Sequence, residues 1–215
     1  MTIASSVRIV SLAVLCAAAL GVSHPARARV HGFRAQRGDR QVVHVGGTSG
    51  NGRGALVHAR GTRVSGPNGT AAHGALVSVS PDGSVQHRGG TRISGAHGGS
   101  YDGRNSYTRH ADGSISSSHS ATGTGAGGGT ISSAGSFSRS AGGSVSGSSQ
   151  TSASSARGTY DAATRSADGT TTHSTAITGA GGESYNGQTS YTRGQGVVHT
   201  GGCTDAGGNV IACGH

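Results

Sequence analysis

The sequence predicts an all-β fold: an antiparallel meander of about 10–12 short strands, built from repeated β-hairpin units of about 28 residues each, with partial disorder allowed. Three observations predict it. Turn-forming pairs such as Asn51-Gly52, Pro67-Asn68, Asp82-Gly83, Asp112-Gly113, Gly142-Gly143 and Asp168-Gly169 recur at short, regular intervals, and pairs of this kind supply the conformations that tight hairpins need. The segments between them run about ten residues, are rich in Ser, Thr, Val, Ile and Tyr, and show no helical period. Finally, YDGRNSYTR at Tyr101–Arg109 is nearly restated as YNGQTSYTR at Tyr185–Arg193, three hairpin units further along the chain.

Residues 1–28 have the layout of a secretory signal. Arg8 supplies the positive start, Ile9–Val22 the apolar run, and Ala26-Arg27-Ala28 the small-x-small cleavage rule, so that Ala28 and Arg29 flank the expected cut. No later apolar run approaches the length of a spanning helix, so no integral membrane segment is expected after the signal is removed. Arg29–Arg40 is a basic, Gly-containing lead-in, expected to be disordered. Its Arg37-Gly38-Asp39 triplet reads as chance in a chain so rich in Arg and Gly.

The hairpin array is expected over residues 41–200. Its turns alternate between two kinds. One series reads SPDGS, HADGS, SAGGS and SADGT from Ser80, His110, Ser140 and Ser166; the other reads GPNG, GAHGG, GTGAGGG and GAGG from Gly66, Gly95, Gly123 and Gly179. The residue columns align Val77, Tyr107, Phe137, Ala163 and Tyr191, mostly the largest side chain of each unit, and this column is expected to face whatever core exists. The register is open at this stage, and so is the choice between two- and three-residue turns. Residues 201–215 close the chain. Cys203 and Cys213 are symmetric about Gly208, so a hairpin with loop Gly207–Asn209 would set them opposite each other as a disulfide.

Composition limits the function. Leu, Ile, Val and Phe together number only 22 from Arg29 to His215, too few for an ordinary single core. Two states survive: a thin β array held by neighbour-to-neighbour contacts, or a largely disordered chain. The charge of +9 is carried by 17 Arg with no Lys, and 11 of these Arg lie between Arg29 and Arg109 against three Asp. Arg53, Arg60, Arg63, Arg88 and Arg92 are therefore candidates for contact with anionic envelope polymers. His44, His58, His73 and His87 recur at nearly equal intervals, one per expected strand, and could form a cross-strand row for a divalent transition metal. Polar strand positions account for them more simply.

Catalytic motifs are missing their context. Gly123–Gly128 matches GxGxxG but no helical pattern follows it, no GxSxG occurs, and no Ser, His and Asp stand out as a set. The basic half lacks the aromatic interleaving of single-strand binders. The expectation is a protein that is not an enzyme, takes no cofactor and binds no nucleic acid. Thr and Ser rows such as Thr170–Thr178 have the residue types of ice-binding faces but not a strict TxT spacing in each unit.

A signal peptide followed by Ser/Thr-rich segments that alternate with GPNG-like and DGS-like turns resembles uncharacterised exported Gly/Ser/Thr-rich repeat proteins of proteobacteria. The resemblance covers about Gln41–Gly196. It implies an exported repeat array and no activity. The all-Arg basic content and the degenerate unit at Gly143–Gly158 depart from it. The expected role is structural or adhesive, at the periplasm, the cell surface or outside the cell, with self-association through exposed sheet edges as a further expectation. Binding of anionic polymers is the alternative, and His-dependent metal binding the next.

Overall fold

The computed structural model describes residues 27–213. They form one antiparallel sheet of fourteen strands in sequence order. The strands are β1 (Arg27–Arg37), β2 (Arg40–Gly50), β3 (Leu56–Gly66), β4 (Gly69–Val79), β5 (Val85–Gly95), β6 (Ser100–Arg109) and β7 (Ile115–Thr124), followed by β8 (Thr130–Arg139), β9 (Val145–Ser155), β10 (Gly158–Ala167), β11 (Thr170–Gly179), β12 (Ser184–Thr192), β13 (Gly196–Thr204) and β14 (Val210–Ile211). Each strand contacts only its sequence neighbours. The sheet is open, with β1 and β14 at its edges.

More strands form than the sequence led one to expect. The lead-in expected to be disordered is one of them: Arg29–Arg37 lies in β1 and pairs along its length with β2. Gly38-Asp39, inside the Arg-Gly-Asp triplet, is the turn between them, and Gly38 has φ 56°. This matches the tight turn with Gly at its first position. Of the expected signal, residues 1–26 lie outside the described residues. The expected cut between Ala28 and Arg29 falls inside β1, where these residues pair with Ser49 and Thr48. No break separates the array from the closing hairpin, because β13 runs through residue 200.

The turns resolve the open choice. A two-residue Asp-Gly turn with both residues at positive φ occurs at Asp168 (φ 52°) and Gly169 (φ 78°). Seven other connections are three-residue loops. In each, a closing amide at position i donates to the carbonyl at i+4, as from Ser80 to Ser84 (2.9 Å) and from His110 to Ser114 (2.9 Å), and the amide at i+3 donates back to the carbonyl at i. The fourth position is always glycine, with φ between 79° and 91°: Gly83, Gly98, Gly113, Gly128, Gly143, Gly182 and Gly208. This is a β-turn followed by a left-handed residue, the common three-residue hairpin. Asp82 and Asp112 sit one residue before that glycine, outside the left-handed region. Their carboxylates accept the amides of Ser84 and Ser114 (2.9 and 2.8 Å).

The same loop moves the closing hairpin. Cys203 lies opposite Ile211, not Cys213, because the loop spans Asp205–Asn209. The Asp205 carboxylate holds that loop by accepting the amides of Gly207 and Asn209, each at 2.9 Å. The Cys203–Cys213 disulfide still forms, on the diagonal, with Cα atoms 5.3 Å apart.

Register is unbroken across the sheet, so paired residues line up in transverse rows, and alternate rows face opposite sides. One row on the side bearing Tyr101 is apolar or glycine on every strand from β2 to β13: Val42, Val64, Ala71, Ile93, Tyr101, Gly123, Ile131, Ala153, Tyr160, Ile177, Tyr185 and Cys203. We call this side the tyrosine face and the other the hydroxyl face. The expected Tyr107 column holds in part. Val77, Tyr107, Phe137 and Tyr191 share one row of the tyrosine face, but that row mixes them with His87, Ser117 and Thr171. Ala163 leaves it: Ser166 takes its place, and Ala163, an odd number of positions away, points to the hydroxyl face. There is also no enclosed core for the column to fill. Ala162 is the one buried apolar side chain among the described residues, whereas Tyr107 is 39% and Phe137 42% exposed.

Gly158 shows how tightly the turns fit. It has φ 129°, and a β-carbon there would collide with the carbonyl oxygen of Thr178. Gly83 (φ 84°) faces open space. Gly158→Ala is expected to cost about 2 kcal/mol or more, and Gly83→Ala about 1 kcal/mol, from backbone strain alone. Urea unfolding of the two variants checks the order.

Candidate functional site

With no cavity enclosed by the sheet, any site must be built from surface rows. Among the described residues two depressions are open to solvent, one beside Gln150, Asp161, Asn186 and Gln188 and a larger one beside His119, Ser136, Gln150 and Arg165.

The hydroxyl face is uniform in residue type over the central strands. Over β7, β8 and β9, thirteen of its fifteen positions are Ser or Thr, the exceptions being Ala134 and Gln150. On the tyrosine face of the same strands the hydroxyl residues are Ser117, Ser133, Ser149, Thr151 and Ser155. Neighbouring hydroxyls on the hydroxyl face bond across strands: Ser100 to Thr124 (2.7 Å), Ser106 to Ser118 (2.8 Å), Thr130 to Ser154 (2.8 Å) and Ser138 to Ser146 (2.8 Å). Each such pair contributes a few tenths to about 1 kcal/mol to its strand pair.

The five arginines expected to contact anions do not form one group. Arg63, Arg88 and Arg92 project from the hydroxyl face of β3 and β5, joined there by Arg34 and Arg104. Arg60 is on the tyrosine face, since an odd number of positions separates it from Arg63, and Arg53 lies in the connection between β2 and β3. Arg92 is already engaged. Its guanidinium donates to Asp102 at 2.6 and 2.9 Å, and Arg104 reaches the same carboxylate at 3.1 Å. The Arg92 bond holds the Asp102 carboxyl below the usual carboxylate range. Arg63 and Arg92 share a row two strands apart, about 10 Å. Arg34 and Arg104 were missed in the sequence because their face follows only from register.

The four candidate metal histidines share the tyrosine face but do not converge. His44 and His73 lie in one row with Thr62 between them, and His58 and His87 lie in another with Val77 between them. Three of the rings bond to threonine instead. Nδ1 of His44 is 2.8 Å from Thr62 Oγ1, His58 is 2.9 Å from Thr48, and His73 is 3.0 Å from Thr91. His173 and His199 repeat the arrangement with Thr164 and Thr189, each at 2.8 Å. No trio of potential metal ligands occurs among the described residues.

Tyr101 and Tyr185, the first residues of the restated motif, have a packing role. Each ring folds along its strand over the glycine two positions on, Gly103 or Gly187, where a β-carbon would collide with it. The pattern Tyr-x-Gly thus covers bare backbone with an aromatic ring. His31 over Gly46 and His119 over Gly135 do the same across strands.

No known protein family matches the chain, and no significantly similar curated protein or solved structure was found. The fold and surface define it as an open, single-layer, all-β sheet with two chemically different faces.

Three turn carboxylates bear on acid stability. Asp82 is held below its ordinary value by the Ser84 amide, Asp112 by the Ser114 hydroxyl and amide, and Asp205 by the Asn209 side chain and amide. A carboxylate with a depressed folded value adds stability that is present above the unfolded value of about 3.9 and is lost as pH falls through the folded one. The melting temperature should therefore fall between pH 5 and pH 2. The drop should be smaller in the triple variant Asp82→Asn, Asp112→Asn, Asp205→Asn, as thermal melts by circular dichroism would show.

Proposed function

We propose that this chain is a non-enzymatic exported repeat protein with a structural or adhesive role at the cell envelope. The observation that carries the reading is the single-layer sheet: nearly every side chain is displayed on one of two broad faces, and none is used to enclose a reaction site among the described residues. A broad array of short polar side chains suits contact with an extended surface better than capture of a small molecule. The signal-like start and the Cys203–Cys213 pair fit an oxidising compartment. Expression of the full chain in a Gram-negative host, followed by fractionation, is expected to yield a protein outside the cytoplasm that begins at Arg29. Retention in the cytoplasm with the segment before Arg29 still attached would overturn the export reading.

A second reading is favoured by the grouping of Arg34, Arg63 and Arg88 on the hydroxyl face of β1–β5: the basic end of the sheet binds anionic envelope polymers. Electrostatic attraction of this kind weakens with salt. The double variant Arg63→Gln, Arg88→Gln should leave immobilised lipopolysaccharide or heparin at lower salt than the parent, with affinity reduced about three- to tenfold at low ionic strength. Arg60→Gln, on the opposite face, should change elution much less. Equal losses from both would count against a face-specific site.

A further inference from the structure

We infer that the tyrosine face is covered by the tyrosine face of a second copy of this chain, giving a two-layer sandwich with the hydroxyl faces outward. An unbroken apolar row crosses the sheet on this side, yet its members are open to solvent: Ile131 is 48%, Ile93 43% and Ile177 42% exposed. Solvated patches of that extent mark interaction surfaces. The area is ample. Thirteen strands spaced about 4.8 Å apart and about 30 Å long present about 1,900 Å² per face, against about 800 Å² per partner in a stable interface. The opposite side of the same central strands is almost wholly hydroxyl, which is what a solvent face requires.

Charge selects the partner and its orientation. Seven of the eight carboxylates lie in turns or on the hydroxyl face, and the eighth, Glu183, folds from its loop onto the tyrosine-face side of Gly179 at the end of β11. The arginines of the tyrosine face, Arg29, Arg37, Arg40, Arg60, Arg109 and Arg139, lie on β1–β8, and its β9–β13 portion has no Arg. A two-fold axis parallel to the strands lays β1–β6 of one copy over β9–β14 of the other. Arg60 then meets Thr189, Arg40 comes over the rim that carries Glu183, and the apolar row meets itself. An axis across the strands would lay the basic strands over themselves and set the apolar row against the mixed row of His58, His87 and Tyr107, and is disfavoured. Stacked sheets with nearly aligned strands about 10 Å apart are a standard packing, and a two-fold interface of this kind is self-complementary. Five of the histidines that such packing would cover already have threonine partners.

The parallel axis passes between β7 and β8, which makes Ser117 (tyrosine face) and Ser118 (hydroxyl face) the diagnostic pair. Sedimentation of the oxidised protein should give a dimer at micromolar concentration. Ser117→Cys should be cross-linked between copies by a bismaleimide that spans about 10 Å, the separation of packed sheets, while Ser118→Cys should not. Ile131→Ser with Ile177→Ser should raise the dimer dissociation constant about 100-fold or more, with circular dichroism confirming that the sheet persists. A monomer by sedimentation, including one that binds anionic vesicles through this face, overturns the inference. So does cross-linking through Ser118→Cys as fast as through Ser117→Cys.

Discussion

The backbone ladder, kept in unbroken register through thirteen strand pairings, is the interaction on which everything else in this molecule depends. There is no interior to organise the chain: Ala162 is the one buried apolar side chain among the described residues. Each inner strand is held by its two neighbours, through alternating amide and carbonyl bonds. Register acquires unusual importance as a result. In a sandwich a slipped strand is corrected by the core it fails to fill. Here it is corrected by turn geometry and by rows such as that of Tyr101, where a slip of one position would send a tyrosine to the hydroxyl face. The recurrence of one loop, closed by the same two backbone bonds and the same left-handed glycine, fixes strand offsets that side-chain packing alone would leave loose.

Much of this was legible in the sequence. The turn positions marked by Gly, Asp, Asn and Pro, such as Asp82-Gly83 and Asp112-Gly113, fall in connections or at strand ends. The missed turn, Gly38-Asp39, was hidden because Arg29–Arg40 looked like a charged tail. Its arginines are tolerated in β1 because an edge strand exposes its side chains on both faces. The faces were harder to read. Ala163 was aligned with Tyr107 by counting back from the Asp-Gly turn, but Asp168-Gly169 is a two-residue turn where its counterparts are three-residue loops. A difference in loop length changes side-chain phase, and only backbone geometry reveals it. The Cys203–Cys213 disulfide was legible but its register was not: Ile211 faces Cys203, and the bond is made on the diagonal. The five arginines could not be grouped without those phases.

The two faces solve different physical problems. On the hydroxyl face, short side chains satisfy one another across strands at little entropic cost, since Ser and Thr have few rotamers to lose. On the tyrosine face, rings lie down over glycines, so that bare backbone is covered without a second layer inside the chain. Histidine takes the intermediate part: seven of the ten described histidines shield a neighbouring glycine or bond to a threonine.

Strand order in the sheet repeats strand order in the chain, and this has a mechanical consequence. The two ends of the described chain lie on opposite rims, about 60 Å apart. Tension applied between them acts along the inter-strand hydrogen bonds and across the strands. In that direction each ladder is peeled from one end, a few bonds at a time, and is not sheared as a whole. Such a sheet yields at low force, hairpin by hairpin, and releases a long tether while the remaining hairpins stay folded. The Cys203–Cys213 bond keeps β14 tied to β13, so peeling from that rim begins at Cys203. A protein stretched between two moving surfaces would behave as an extensible strap.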